Sequence, residues 1–136
     1  MKVFVDASAI VAMIGREPEA TTFGHVIGNA STRLTSPIAI WEAARAVSRV
    51  RRVDMEEARI LVADFLRDAH VGLIDIDRND ADVAIDAHIR FGKGIHPAGL
   101  NMGDCFAYAS TRRHADTILF KGDDFAQTDL KDATLA

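Results

Sequence analysis

Five acidic residues, Asp6, Glu42, Asp104 and the adjacent pair Asp123 and Asp124, recur wherever a segment of this chain reaches one rim of the expected fold. Asp6 ends the apolar run Val3-Phe4-Val5, and the final pair directly follows "TILFKG". In open α/β sheets the ligand crevice lies outside the carboxyl ends of the strands. Asp104 follows a glycine-rich loop, and Glu42 falls in the second turn of a helix, so both can project onto the same edge. Taken singly, each acid has a plainer role. Asp6 could cap the next helix, and Asp104 could be a favourable charge at a helix N-terminus. Glu42 could pair with Arg45 one turn on, and Asp123 and Asp124 could be turn formers. Gathered together, they would repel and raise one another's pKa unless cations neutralised them. Asp6 also adjoins strongly apolar sequence, where a lone carboxylate is costly unless paired or bound to a metal.

The elements that must carry these residues follow from periodicity and punctuation. "KVFV" reads as a strand buried on both faces, and Ala9 to Met13 continue as a helix. "EPEATTFGHVIGNA" reads as a helix and "RLTS" as a short strand. Ser36 as N-cap with Pro37 at the first helical position opens the helix bearing Glu42. "DMEEARILVADFLRDAH" predicts a capped helix with a stripe of Ile60, Leu61, Asp64, Phe65 and Ala69. "VGLIDID" predicts a strand, "RNDADVAIDAHIRFG" a helix ending near Gly92, and "KGIHPAGLNMG" a loop. "DCFAYASTRRH" closes as a helix and "DTILFKGDDF" as the last strand with its exit turn. Short strands alternating with longer helices imply parallel βαβ units, hence a three-layer α/β/α sandwich around a mainly parallel sheet. A single domain over residues 1–136 accommodates all of it.

The totals narrow the function classes. Hydrophobic content of 49% with 26% charged residues describes an ordinary globular protein. The one cysteine, Cys105, excludes an internal disulfide and suits a reducing cytoplasm. The five histidines show no metal-ligand spacing, which argues against structural zinc. No segment reads as a signal peptide or a membrane span. A net charge of -4 argues against a non-specific nucleic-acid coat. Nucleic acid remains open as a substrate, because a bound divalent cation reverses the sign of an acidic pocket.

Other groups compete for attention. Asp77 reads as an N-cap, while Asp75, Asp80, Asp82 and Asp86 are expected to face solvent. Trp41, Phe106 and Tyr108 sit at helical spacings that suit a core, and His96 suits loop packing. Arg45, Arg49 and Arg52 share a helix face by spacing and, with Arg112, are candidates for phosphate contact; a solvated basic face is the alternative.

Four stretches, "VFVDASAIVAMI", "SPIAIWEAARAV", "GKGIHPAGLNMGDCFAYA" and "ILFKGDDFAQTDL", occur in the order found in PIN-domain ribonucleases. The chain resembles VapC-type toxins of prokaryotic type II toxin–antitoxin modules from Lys2 to about Leu130. The resemblance implies that Asp6 and Asp104 bind Mg2+ or Mn2+, and that Glu42 and an acid in "GDDF" complete the site through water or a second ion. It leaves Asp123 and Asp124 unseparated. Ser8 matches a supporting residue that hydrogen-bonds within the site. Met102 departs mildly from relatives with an aromatic residue there. The resemblance further implies an endoribonuclease active on RNA in the cytoplasm, a homodimer, and neutralisation by a cognate antitoxin lying across the active-site groove.

The residue types suit that chemistry independently. Magnesium and manganese prefer oxygen ligands and retain waters, so a few carboxylates suffice. Such ions acidify a water, orient it in line with a phosphodiester and stabilise the departing oxygen. Without a convincing histidine pair, water attack leaving a 5′-phosphate is favoured over attack by the ribose 2′-hydroxyl. Unstacked RNA is the favoured target, since its bases are open to reading. Two alternatives stand beside this one. A metal-dependent phosphohydrolase with Asp6 as nucleophile would want an aspartate where Ser8 stands. A non-catalytic PIN-like binding module would have no reason to keep repelling charges.

Overall fold

The computed structural model describes residues 1–136. Strands β1 (Lys2–Val5), β2 (Thr32–Thr35), β3 (Gly72–Leu73) and β4 (Thr117–Leu119) form one parallel sheet in the order β3-β2-β1-β4. The helices are α1 (Ala7–Ile14), α2 (Ala20–Asn29), α3 (Pro37–Arg51), α4 (Met55–Asp68), α5 (Arg78–Phe91) and α6 (Met102–His114). This is the α/β/α architecture expected from the alternation of strands and helices. Its centre is β1, where Phe4 pairs with Leu34 on one side and Ile118 on the other. Val3, Phe4 and Val5 are buried, as an unbroken apolar run requires.

Local signals hold well at the helix starts. Ser36 Oγ accepts from the Ala39 amide at 3.1 Å and Pro37 occupies the first turn of α3. Asp54 caps α4, and Asp77 caps α5. Four expectations are corrected. "VGLIDID" contributes only Gly72 and Leu73 to the sheet, at its edge, where short strands limit further pairing. In α4 the buried line runs through Ala58 and Val62, which leaves Ile60 52% exposed. In α3 Ala39, Ala43, Ala44 and Val47 face inward, so Trp41 lies outside the core at 57% exposure. Asp80, expected in solvent, is fully buried; its Oδ1 accepts from Arg113 Nη1 at 2.8 Å, and its Oδ2 accepts the Asp77 amide at 2.8 Å.

Candidate active site

Asp6 is held at the junction of β1 and α1 by its own backbone and by its neighbour. Its amide donates to the Leu119 carbonyl of β4 at 3.0 Å, extending the sheet by one bond. Its Oδ2 accepts from the Ser8 amide at 3.1 Å and the Ser8 hydroxyl at 2.6 Å, which caps α1. Ser8 Oγ also accepts the Lys121 amide at 3.0 Å, joining Asp6 to the segment that bears Asp123 and Asp124.

Asp104 is arranged in the same way at the start of α6. Asn101 Oδ1 accepts the Asp104 amide at 2.9 Å, and Asp104 Oδ2 accepts the Asn101 amide at 3.1 Å, a reciprocal cap. Asp6 is thus the cap of α1 and Asp104 the acid in the first turn of α6, and each accepts a backbone amide through Oδ2. Capping and gathering at one rim are compatible, because a helix N-terminus aims its first acid outward from the sheet edge.

Glu42 reaches the same place from α3. Burial, then the charges of Asp6 and Asp104, push its carboxyl up to about 7. Burial raises Asp104, against the Asn101 amide, and the charges of Asp6 and Asp124 add to it, giving about 6. Asp6 is also raised, foremost by burial, with Ser8 pulling the other way and Asp124 adding to the rise. Of the two acids in the last loop, Asp124 is the one whose charge raises Asp6 and Asp104. No lysine or arginine forms an ion pair with Asp6, Glu42, Asp104 or Asp124. The Glu42–Arg45 pair weighed from spacing does not form. Arg45 instead lies over the Trp41 ring, 5.1 Å from its centroid.

Two residues that the sequence reading passed over make the cluster possible. A Cβ on Gly103 would collide with the Glu42 carboxylate, so glycine leaves that carboxylate its place between α3 and α6. Asn101 was legible as a cap from the N-x-x-D spacing before an apolar helix. The basic candidates are more scattered. Arg49 is exposed on α3, but Arg52 lies past the helix end in a left-handed conformation and leaves the shared face. Arg112 is two turns down α6 from Asp104, where its charge acts on Tyr108 and Asp129.

The donor set suits a hard divalent cation, being oxygen only and short of positive charge. No three acidic, histidine or cysteine side chains converge to ligate one ion unaided, so water must complete any such shell. The PIN-domain family model matches residues 3–131. The chain belongs to the PIN-domain family. Within that family it lies among the VapC ribonucleases. It is 38% identical to a VapC ribonuclease of Rhizobium meliloti, over 93% of this chain and 98% of that protein. It is also 38% identical to ribonuclease VapC30 of Mycobacterium tuberculosis, over 97% of each chain. Two solved structures share the fold. VapC20 of Mycobacterium tuberculosis, described as a sarcin-ricin loop cleaving toxin, superposes with a TM-score of 0.73 over 94% of this PIN domain and 95% of that chain, at 17% identity. VapBC2 of Rickettsia felis, bound to a DNA fragment from its promoter, gives a TM-score of 0.67 over 97% and 96%, also at 17% identity.

Proposed function

We propose that this PIN domain is a Mg2+- or Mn2+-dependent endoribonuclease toxin that hydrolyses RNA phosphodiesters in the cytoplasm and is restrained by a cognate antitoxin. The observation that carries the reading is the meeting of Asp6, Glu42, Asp104 and Asp124, from four separate segments, with no cationic side chain among them. Asp6 and Asp104 would hold the cation, each with Oδ2 already fixed by its cap. The cation supplies charge neutralisation and an acidified water for in-line attack. Glu42 and Asp124 would orient that water through their carboxylate oxygens. Arg45 and Arg49, on the helix that carries Glu42, would contact the RNA backbone. An antitoxin would inhibit by bringing a basic side chain to the acid cluster.

The deciding experiment is cleavage of a structured RNA with and without chelator. Activity should vanish on chelation, return with Mn2+, and leave 5′-phosphate ends. Asp124→Asn should impair it far more than Asp123→Asn. Full activity in chelator, or equal effects of the two substitutions, would sink this assignment. Self-association is proposed on the α5–α6 face, where Ile85, Ile89 and Met102 are each more than half exposed. Sedimentation should show a dimer that Ile85→Glu with Ile89→Glu converts to monomer.

A further inference from the structure

Asp124 depends on its loop more than any other member of the cluster. Asp6 and Asp104 are fixed by caps, and Glu42 stands on a fifteen-residue helix. Asp124 precedes a single 3-10 turn, Phe125–Gln127, and makes no side-chain cap bond to it. The loop before it turns at Gly122, whose φ of 107° lies in the region that favours glycine. At its base the buried rings of Phe120 and Phe125 meet edge to face, 5.4 Å between centroids.

Lys121 supplies the remaining attachments. Its amide bonds Ser8 Oγ in the first turn of α1. Its ammonium pairs with Glu17, beyond the other end of that helix, and stands 3.4 Å from Glu19 Oε2. Glu17 is itself seated firmly, its amide donating to the Ala12 carbonyl and its carbonyl accepting from Ala20, each at 2.9 Å. Glu19 Oε2 is cut off from water and has no hydrogen-bond partner, so Lys121 is the charge that compensates it. One lysine therefore fastens the Phe120–Phe125 loop at two places, to the first turn of α1 by its amide and to the α1–α2 connection by its ammonium. An isolated surface ion pair would contribute little. Here one ammonium serves two carboxylates and is coupled through its own backbone to Ser8 and Asp6.

We infer that Lys121 is a positioning residue: clamped by Glu17 and Glu19, it holds the last loop against α1 so that Asp124 stays within reach of Asp6 and Asp104. The inference rests on the metal-site reading above. It also separates Lys121 from substrate binding, because its charge is committed to the two glutamates rather than offered to a phosphate.

The test measures Mn2+ binding by calorimetry alongside kcat and KM for RNA in wild type, Lys121→Met, Lys121→Arg, and Glu17→Gln combined with Glu19→Gln. Losing an outer partner of a metal ligand typically weakens metal binding by about 10–100-fold, and Lys121 acts one step further out, through Asp124. Lys121→Met and the double glutamine variant should fall near the lower end of that range, with KM for RNA unchanged, and Lys121→Arg should restore most of the loss. A raised KM with unchanged Mn2+ affinity would make Lys121 a phosphate contact and overturn the inference. If Lys121→Met fails to fold, the double glutamine variant decides, since it leaves the lysine in place. Unfolding of both would assign the clamp to stability alone and also overturn it. A wild type that binds no Mn2+ would instead overturn the metal site itself, and the inference with it.

Discussion

The α5 and α6 helices begin with the same device and put it to opposite use. Asp77 and Asp80 form a reciprocal cap on α5, as Asn101 and Asp104 do on α6. Asp80 is the more deeply buried of the two N3 acids, yet it is the better satisfied. Burial pushes its carboxyl up, but the Asp77 amide, the Arg113 guanidinium and His114 outweigh it and hold the group below the ordinary carboxylate range. Asp104 is raised foremost by burial, and its neighbours Asp6 and Asp124 add to that rise where those of Asp80 offset it. Burial of an acid therefore does not by itself mark a functional site. The sign of the charge it faces does, and an acid facing acids is one whose counter-charge must arrive from solution.

The strongest break of this comparison is to neutralise one acid at each end. Asp6→Asn should lower RNA cleavage by at least about a hundredfold, while leaving thermal stability in chelator unchanged or raised. Asp80→Asn should do the reverse, keeping most activity per folded molecule but losing about 5–10 °C in Tm. Calorimetric unfolding and cleavage assays on the same preparations would show it, and equal Tm losses in the two variants would contradict it. A smaller effect is expected from Gly103→Ala, which forces the Glu42 carboxylate aside. Cleavage should fall about tenfold or more while stability holds or rises slightly, since alanine favours the helix. The mildest effect is on pH dependence. In chelator, Glu42 keeps its proton to about pH 7 whereas the unfolded chain releases it near 4.5. The folded state then binds more protons, so stability falls as pH rises through that window. Asp80 has the opposite sign: its stabilisation is present above the usual aspartate pKa and is lost as pH falls through about 4 and below. Melting curves in chelator should therefore weaken toward both ends of pH 3–8, and saturating Mn2+ should remove only the upper loss.

What the sequence made legible was local. Ser36, Asp54 and Asp77 announced their helices because a cap is a contact between residues two or three apart. The termination of β1 at Asp6 was equally plain, since an apolar strand cannot continue through a carboxylate. The rim site was legible because topology alone brings strand ends and helix starts to one edge. Facing was less legible. Asp80 reads as solvated until Arg113, thirty-three residues away, arrives beside it. Trp41 reads as core until the alanines of α3 claim the inward side. Asp124 and Asp123 are adjacent in sequence, and only the folded chain shows the charge of Asp124 acting on Asp6 and Asp104.

The two Oδ2 caps have a consequence for the energetics of cation capture. Neither Asp6 nor Asp104 is a free rotor, because Ser8 and Asn101 have fixed the torsions of both carboxylates during folding. If Asp6 and Asp104 hold the cation as proposed, it finds little side-chain disorder left to quench there. Most of the freedom that changes belongs to the water it sheds, so binding should be driven by entropy, with the protein acting as a stiff receptor.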